Sequence, residues 1–231
     1  MPGLLVGAEP REFSGLVKFC RNVKAAAWPV NWARSAEIEG RQVWLVANGA
    51  GARRAALAVN AASVVTKLDW VCSMGYCGAL EDSMAAGEIF VAERVESPWG
   101  SYPARRLESD RRYKTGVLVS IDHVARTREE KRQLRERGAS AVEMEAGGVA
   151  RTAAELSLPF YCVRSVTDLA GESFDFDFNE ALRSDGRFDT MRLIAATCRR
   201  PLSLLPEFVR LWRRSRAASQ TLGEFIASCR F

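Results

Sequence analysis

The sequence predicts an α/β domain in which a central sheet is flanked by helices. Short apolar runs typical of buried strands, as at 41–47 and 160–166, alternate with segments of helical pattern such as 52–66. The chain has 231 residues, of which 48% are hydrophobic, so it can bury a sizeable core without disulfides or metals. We therefore expect residues 1–231 to form one domain.

Individual elements follow from local pattern. Strands are predicted at 4–8, 41–47, 69–74, 117–120 and 160–166. Helices are predicted at 13–26, 52–66, 127–137, directly after Glu145, from 181 onward, and from 205 onward beyond a break at Pro201. The glycines at 48–51 read as a tight turn, 75–80 as a glycine-bearing loop, and 28–39 as an irregular or edge segment.

The charge pattern does not favour a nucleic-acid partner. The formal net charge is +5, from 33 basic and 28 acidic residues. Arginines cluster at 126–137 and 199–216, without the interleaved aromatics of an RNA-binding sheet. We interpret these clusters as solvated or interface-forming faces and expect no nucleic-acid partner.

Cysteine and histidine usage predicts neither disulfides nor a metal centre. Six cysteines are scattered, there is one histidine, and there is no Cys-x-x-Cys motif. This favours reduced thiols in a cytoplasmic protein without a metal site. The segment 1–13 lacks the basic and apolar regions of a signal peptide, and no apolar run approaches the length of a membrane span.

Two carboxylates stand where α/β sheets place functional groups. Glu145 lies at the junction between a short apolar run and a small-residue helix, and Asp168 follows the strand predicted at 160–166. In an open α/β sheet the binding crevice lies outside the carboxyl ends of the strands. We therefore expect Glu145 and Asp168 to face one pocket.

Two consecutive glycines interrupt the helix that follows Glu145. Gly147 and Gly148 should each cost about 1 kcal/mol relative to alanine in a helix interior. The sequence therefore predicts that this helix approaches the sheet or a ligand more closely than side chains would allow.

The same region carries a resemblance to a known family. The run 142–145 (VEME) resembles the ribose-binding V-E/D-M-E motif of the purine/uridine phosphorylase superfamily, and 159–168 resembles its P-F…V-R…S-D motif. The likeness is strongest to the methylthioadenosine/S-adenosylhomocysteine nucleosidase-like branch. It implies a three-layer fold with a mixed central sheet flanked by helices. It also implies cleavage of the N-glycosidic bond of a purine nucleoside, with adenine as the base.

The resemblance assigns roles to individual residues. It implies that Asp168 protonates or hydrogen-bonds the leaving purine at N7 and that Glu145 binds the ribose hydroxyls. Tyr76 departs from the family's sugar loop, which has a small hydroxyl residue there, so Tyr76 either narrows the pocket or points elsewhere. The further substrate-binding residues that we infer from the resemblance are Glu143, Met144, Val124, Phe160, Thr167 and Gly75.

The nucleophile depends on the N-terminal loop. The resemblance implies that Glu12 deprotonates water, whereas the related phosphorylases place a phosphate-binding arginine opposite it. A second phosphate-binding arginine of the phosphorylases falls on Ser73 here. Both departures favour hydrolysis, although Arg11 or an arginine of a neighbouring subunit leaves phosphorolysis open. We expect no cofactor, with phosphate as a co-substrate only if the enzyme is a phosphorylase.

The C-terminal segment 205–231 predicts a basic amphipathic helix. Its leucines, Trp212 and arginines fit either packing on its own domain, which we favour, or contact with an anionic membrane. The arginine-rich tail and the break at Pro201 resemble the hopanoid-biosynthesis-associated branch of the superfamily. That resemblance implies a 5′-substituted adenosine such as adenosylhopane as the substrate.

Several functional alternatives remain open on the sequence. The chain could be a methylthioadenosine-type nucleosidase, a phosphate-dependent purine nucleoside phosphorylase, or a catalytically silent nucleoside-binding member of the family. Related enzymes are oligomers, so a homo-oligomer is expected. The predicted location is the cytoplasm, at the inner face of the membrane if the C-terminal helix binds lipid.

Overall fold

The computed structural model describes residues 2–183 and 185–231, and its centre is a ten-stranded mixed sheet. The strands are β1 (Gly3–Gly7), β2 (Arg21–Ala25), β3 (Trp32–Ile38), β4 (Arg41–Ala47), β5 (Val71–Ala79), β6 (Ile89–Ser97), β7 (Gly100–Pro103), β8 (Lys114–Ser120), β9 (Ala141–Glu143) and β10 (Phe160–Asp168). The α-helices are α1 (Ala52–Val65), α2 (Arg128–Glu136), α3 (Ala146–Glu155), α4 (Phe178–Ala181), α5 (Thr190–Arg199) and α6 (Pro201–Ala227). The expected mixed α/β architecture, with helices flanking the sheet, is confirmed.

Five of the strands close on themselves. The strand order is β10-β6-β8-β9-β5-β1-β4-β3-β2, and β10 also pairs with β5. Because both ends of the run from β10 to β5 are thereby joined, these five strands form a barrel. Strands β1 to β4 extend from β5 as an open sheet, whose β2 and β3 form an antiparallel pair at its edge.

Strand β5 divides one edge between two neighbours. Its first residues, Val71 to Ser73, pair in parallel with β1, whereas Gly78 and Ala79 pair antiparallel with β9. The carboxyl ends of β1 and β9 therefore approach the middle of β5 from opposite directions. A gap remains between them, and the segments that follow both strands lie at that gap.

The prediction of a helix at 13–26 is wrong. The chain instead forms two short 3₁₀ helices, Pro10–Phe13 and Leu16–Phe19, followed by β2. Gly15 lies between them against the backbone of α6, where a Cβ would come within 2.0 Å of the Ser219 carbonyl oxygen. This close tertiary approach overrides the local helical pattern.

The loop predicted at 75–80 is also wrong, because β5 continues to Ala79. Strand β10 runs alongside in parallel from Phe160 to Asp168 and supplies the hydrogen-bond partners that keep β5 extended. The helix predicted from 181 onward is wrong in its start, because α4 ends at Ala181 and the next helix, α5, begins at Thr190. The other predictions agree with the structure to within a few residues. Helix α1 fills the segment predicted at 52–66, and α2 begins after Thr127, whose side chain accepts a hydrogen bond from the Glu130 amide.

The C-terminal helix α6 begins at Pro201, four residues before the predicted start, and runs to Ala227. One face is buried: Leu222 and Phe225 pack with residues of the sheet, and Leu204 packs with Phe176 and Ala181. The expectation that this helix packs on its own domain is therefore confirmed for that face. In the described part of the chain, no helix combines the length and apolar character that crossing a bilayer requires.

Helices α1 and α3 meet at Gly148. A Cβ on Gly148 would lie 1.9 Å from the Ala52 carbonyl oxygen at the start of α1. The glycine is thus explained by close approach between two helices. This approach places the first turn of α1 beside the N-terminus of α3, where Glu145 lies.

Replacing Gly148 tests this close approach. We expect Gly148→Leu to lower the free energy of unfolding by about 3 kcal/mol or more, because the added atoms collide with backbone that cannot rotate away. Urea unfolding followed by circular dichroism measures the change. Gly171→Leu is the matched control: a Cβ there meets nothing within 4 Å, so a change within about 0.5 kcal/mol is expected. Equal stability of the two variants would contradict the packing argument.

Candidate active site

A cavity of about 680 Å³ opens at the gap between β1 and β9. It collects eight of the ten residues that the sequence singled out, drawn from segments far apart in the chain. They are Glu12, Tyr76, Val124, Glu143, Met144, Glu145, Thr167 and Asp168. The expectation that Glu145 and Asp168 face one pocket is therefore met.

Phe160 and Gly75 do not line this cavity. Phe160 begins β10, opposite Val71, whereas Asp168 ends the same strand opposite Gly78. Eight residues of extended strand, about 26 Å at 3.3 Å per residue, separate the two positions. Phe160 is a buried core residue, and its assignment to substrate binding is corrected on that ground. Gly75 lies behind the cavity, where its Cα backs the carboxylate of Glu12.

Glu12 is held as a buried carboxyl group next to the cavity. It lies in the 3₁₀ helix after β1, and its Oε2 accepts a hydrogen bond of 2.8 Å from the Ala8 amide. Gly7 and Gly75 make room for the carboxyl group, since Cβ atoms there would come within 2.6 and 3.1 Å of Oε2. Burial, followed by the charge of Glu9, raises the pKa of Glu12 to about 7.

Glu145 occupies the N-cap position of α3 and reaches across to α1. Its Oε1 accepts a hydrogen bond of 2.8 Å from the Gly51 amide, so the turn predicted at 48–51 serves to hold this side chain. Burial, followed by the charges of Glu143 and Glu12, raises the pKa of Glu145 to about 8. A proton is therefore retained among these clustered carboxyl groups near neutral pH.

Glu143 lines the cavity, yet its carboxylate is engaged in internal bonds. It accepts hydrogen bonds from the amides of Glu145 and Ala146 and a 2.6 Å hydrogen bond from Arg164 Nη2. Arg164, which also donates to Ser73 Oγ at 2.7 Å, is 1% exposed. This buried ion pair links the end of β9 to β10 and so holds in place the backbone that leads from Glu143 to Glu145.

Asp168 is aimed at the cavity by a β-bulge. The pairing of β10 with β5 shifts register between Val166 and Asp168, so Thr167 is an extra residue and both side chains reach the cavity. The Thr167 hydroxyl donates to Asp168 Oδ1 at 3.1 Å. Gly78 is opposite, where a Cβ would come within 2.7 Å of Asp168 Oδ2.

Lys131 is the functional neighbour that the sequence did not reveal. Its Nζ donates to Asp168 Oδ2 at 2.5 Å and to the Leu169 carbonyl oxygen at 2.9 Å, and the residue is only 1% exposed. It stands in the charged helix α2, whose pattern suggests a solvated element. The available signal was its spacing from Leu134, since residues three apart share a helix face.

The far end of the cavity is apolar. Beyond the acidic residues, the walls are formed by aromatic and aliphatic side chains from the segments around α4, α5 and α6. They are Phe174, Phe178, Phe188, Leu193, Phe208, Leu211 and Trp212. The cavity therefore has a polar end built by β-strand termini and an apolar end built by helices.

Val124, the predicted wall for the base, is one of the residues that line the cavity. Its amide donates to Asn179 Oδ1 at 2.7 Å, and its carbonyl oxygen accepts from Asn179 Nδ2 at 3.2 Å. Its side chain remains available to contact a planar base. Among the described residues, no cluster of three or more His, Cys, Asp or Glu side chains could hold a metal ion.

Comparisons with known proteins agree with this fold. The model of the family described as "Phosphorylase superfamily" matches residues 101–197. The 5′-methylthioadenosine/S-adenosylhomocysteine nucleosidase of Staphylococcus aureus strain JH9 is 24% identical over 174 residues, which cover 63% of this chain and 76% of the relative.

Solved structures show the same fold at low sequence identity. The 5′-methylthioadenosine/S-adenosylhomocysteine nucleosidase of S. pneumoniae, solved with a transition-state inhibitor, has a TM-score of 0.73 at 18% identity and covers 99% of both chains. The futalosine hydrolase of Helicobacter pylori has a TM-score of 0.74 at 16% identity, covering 99% of this chain and 96% of its own. The chain therefore has the fold of these proteins, and its residues 101–197 are similar to the phosphorylase superfamily.

Proposed function

We propose that this chain is a nucleosidase that cleaves the N-glycosidic bond of a purine nucleoside, with adenine as the leaving base. The observation that supports this proposal most strongly is that Glu12, Glu145 and Asp168 line one cavity, each reaching it from a different strand end. The relatives named nucleosidases and the futalosine hydrolase support the same bond as the target. We further propose that residues 1–231 act as one domain in this reaction.

Asp168 serves as the acid. In N-glycosidic cleavage the sugar becomes cation-like and the departing base gains negative charge, so a proton or hydrogen bond at purine N7 lowers the barrier. The Asp168 carboxyl group lies at the cavity wall with one oxygen fixed by Lys131 and the other by Thr167. These bonds hold the group in one orientation before the base arrives.

Glu145 and Met144 serve the sugar. The carboxyl group of Glu145 can accept hydrogen bonds from ribose hydroxyls and so fixes the sugar in the cavity. Met144 is buried and lines the same end of the cavity, where it supplies an apolar surface under the sugar. Glu143 acts behind them, as the residue that positions Glu145 and Ala146.

Glu12 serves as the base that activates water. Water oxygen attacks C1′ as the bond from C1′ to N9 breaks, the water proton passes to Glu12, and Asp168 delivers a proton to N7. The products are the free base and the ribose derivative, and the step needs only water and the chain's own side chains.

Electrostatics favours water over phosphate as the nucleophile. Three carboxyl groups, Glu12, Glu143 and Glu145, line the polar end, and a phosphate dianion would meet like charges there. Ser73, at the position of a phosphorylase arginine, is fully buried and bonded to Arg164. Arg11 lines the cavity but pairs with Glu9. Phosphorolysis remains the second candidate, through Arg11.

The pH dependence of kcat/KM should report Glu12. Since the base must be ionised and its pKa is raised to about 7, activity is lost as pH falls through 7, about tenfold per pH unit below it. Rates from pH 5 to 9 measure this limb. Glu9→Gln should move the limb to lower pH, because the charge of Glu9 contributes to the raised pKa. A flat profile from pH 5 to 8 would contradict the role.

The apolar end of the cavity supports a 5′-substituent that is large and apolar. Phe188, Leu193, Phe208 and Leu211 give this end a largely apolar wall, with Arg187 as the charged residue next to Phe188 in the lining. We propose a 5′-substituted adenosine of this kind, such as adenosylhopane, with methylthioadenosine or S-adenosylhomocysteine as the alternative. Adenine release from adenosines with increasingly large 5′-alkyl groups tests the choice, because kcat/KM should rise with the apolar group. A preference for unsubstituted adenosine would contradict it.

The adenine-release assay also distinguishes an enzyme from a catalytically silent protein that only binds nucleosides. Tyr76 lines the cavity beside Glu12, where burial followed by the charge of Glu12 raises the pKa of the phenol. A protein that binds nucleosides but releases no adenine would be the binder. We propose a cytoplasmic homo-oligomer, with its C-terminal helix in peripheral contact with the inner face of a membrane.

A further inference from the structure

An exposed apolar stripe runs along α5 and α6. On α6, Leu202, Leu205, Val209 and Trp212 recur at spacings of three and four and therefore share one helix face. Leu202 is 94% exposed and Trp212 61% exposed. Met191 and Ile194 on α5 continue the surface, with 72% and 52% of their area exposed. This face is opposite to the one through which α6 packs on the sheet.

The charges along this stripe are mostly basic, apart from Asp189, which caps α5 and pairs with Arg192. Residues 190–222 contain seven arginines and a single acid, Glu207. Glu207 is buried, and its carboxylate accepts hydrogen bonds from the amides of Asp175 and Phe176, so it does not contribute charge to the outer face. The exposed arginines beside the stripe are Arg199, Arg200, Arg210, Arg213 and Arg216, and none of them forms an ion pair with a carboxylate in the described part of the chain.

The stripe is continuous with the cavity at Trp212. This residue lines the apolar end of the cavity and is also exposed on the outer face. A second cleft, on the other side of Trp212, is lined by three cations, Lys18, Arg213 and Arg216. Apolar side chains, an indole at the boundary and a cationic cleft are the three elements that an anionic lipid surface matches.

We infer that the outer face of α5 and α6 docks on an anionic lipid bilayer and that the apolar end of the cavity opens toward the lipid. Apolar side chains enter the boundary between headgroups and acyl chains, while the arginines meet lipid phosphates. Resting on the proposed function, this orientation lets a nucleoside with an apolar 5′-group enter the cavity from the membrane, with its base leading. The partner is thus a lipid surface, and not a peptide or a nucleic acid.

Vesicle binding by the full chain tests the inference. The protein should bind vesicles of phosphatidylcholine with phosphatidylglycerol and should bind vesicles of phosphatidylcholine alone much more weakly. Combining Arg199→Gln, Arg200→Gln, Arg210→Gln and Arg213→Gln should raise the Kd at least about 100-fold, since each arginine near an anionic surface contributes about fivefold. Combining Leu202→Ser, Leu205→Ser and Val209→Ser should raise it at least about 30-fold through lost apolar burial.

A matched control separates this face from general surface stickiness. Leu57, Val64 and Val65 on α1 are also exposed apolar residues, and their triple serine variant should bind vesicles as the unaltered protein does. The inference is overturned if the unaltered protein ignores anionic vesicles, or if the two triple variants bind them equally. It is also overturned if the α6 variant only dissociates an oligomer, because the face would then be an interface between copies.

The proposed function is read out separately. Adenine release from adenosine in solution, without vesicles, should be the same in the α6 triple variant and the unaltered protein, since none of the three residues lines the cavity. Vesicle binding without adenine release from any nucleoside would refute the proposed function and leave the docking surface standing. Adenine release without vesicle binding would refute the docking surface and leave the proposed function standing.

Discussion

The Asp168→Asn variant is expected to release adenine at least about 10²-fold more slowly than the unaltered enzyme, in the range for loss of an acid–base group. The amide keeps the size of the carboxyl group and can still accept a hydrogen bond from Lys131. It cannot deliver a proton to N7. The loss should therefore appear in kcat, with KM changed little, because the side chain still occupies its place beside the base.

Stability must be measured alongside, since the substitution alters the buried hydrogen bond that Lys131 donates to residue 168. Removing one member of a buried pair typically costs about 3–5 kcal/mol. The chain should nevertheless be assayed well below its unfolding temperature, with folding checked by circular dichroism. Near-normal turnover in folded Asp168→Asn protein would remove Asp168 from the mechanism.

Glu12→Gln should reduce the rate of hydrolysis by about 10²- to 10⁴-fold, because glutamine cannot take a proton from water. The Gln side chain can still accept a hydrogen bond from the Ala8 amide, so the loop after β1 should keep its conformation. Binding of a nucleoside, measured by isothermal titration calorimetry, should change little. The rate loss would then lie in the chemical step alone.

Glu9→Gln is the matched control for Glu12. Glu9 is on the same loop and lines the same cavity, but it pairs with Arg11. Its variant should keep turnover within about fivefold at pH 8, as expected for a residue that takes no part in proton transfer. Equal losses in the two variants would indicate a damaged loop and would contradict the specific role of Glu12.

Much of the polar end of the cavity could be predicted because strand ends leave a local signature. The run 142–145 and the strand ending at Asp168 carry both their pattern and their chemistry within a few residues, and they lie where the sequence placed them. Phe160 was wrongly assigned to the site because residues of one sequence motif can lie at opposite ends of a strand. In β10 these two ends are about 26 Å apart.

The rest could not be predicted because it depends on contacts between distant segments. Barrel closure joins β5 to β10, some ninety residues apart, and it converted a predicted loop at 75–80 into strand. Gly15 meets α6 across about two hundred residues, and Lys131 reaches Asp168 from a helix that looks solvated. Local pattern contains none of these pairings.

The most direct measurement is product analysis with the unaltered protein and a 5′-substituted adenosine, with and without inorganic phosphate. Hydrolysis predicts that free adenine and the reducing sugar appear in equal amounts, at a rate that phosphate does not increase. Absence of adenine under both conditions would contradict cleavage of the N-glycosidic bond. Adenine release that requires phosphate, with a sugar 1-phosphate as the second product, would contradict water as the nucleophile.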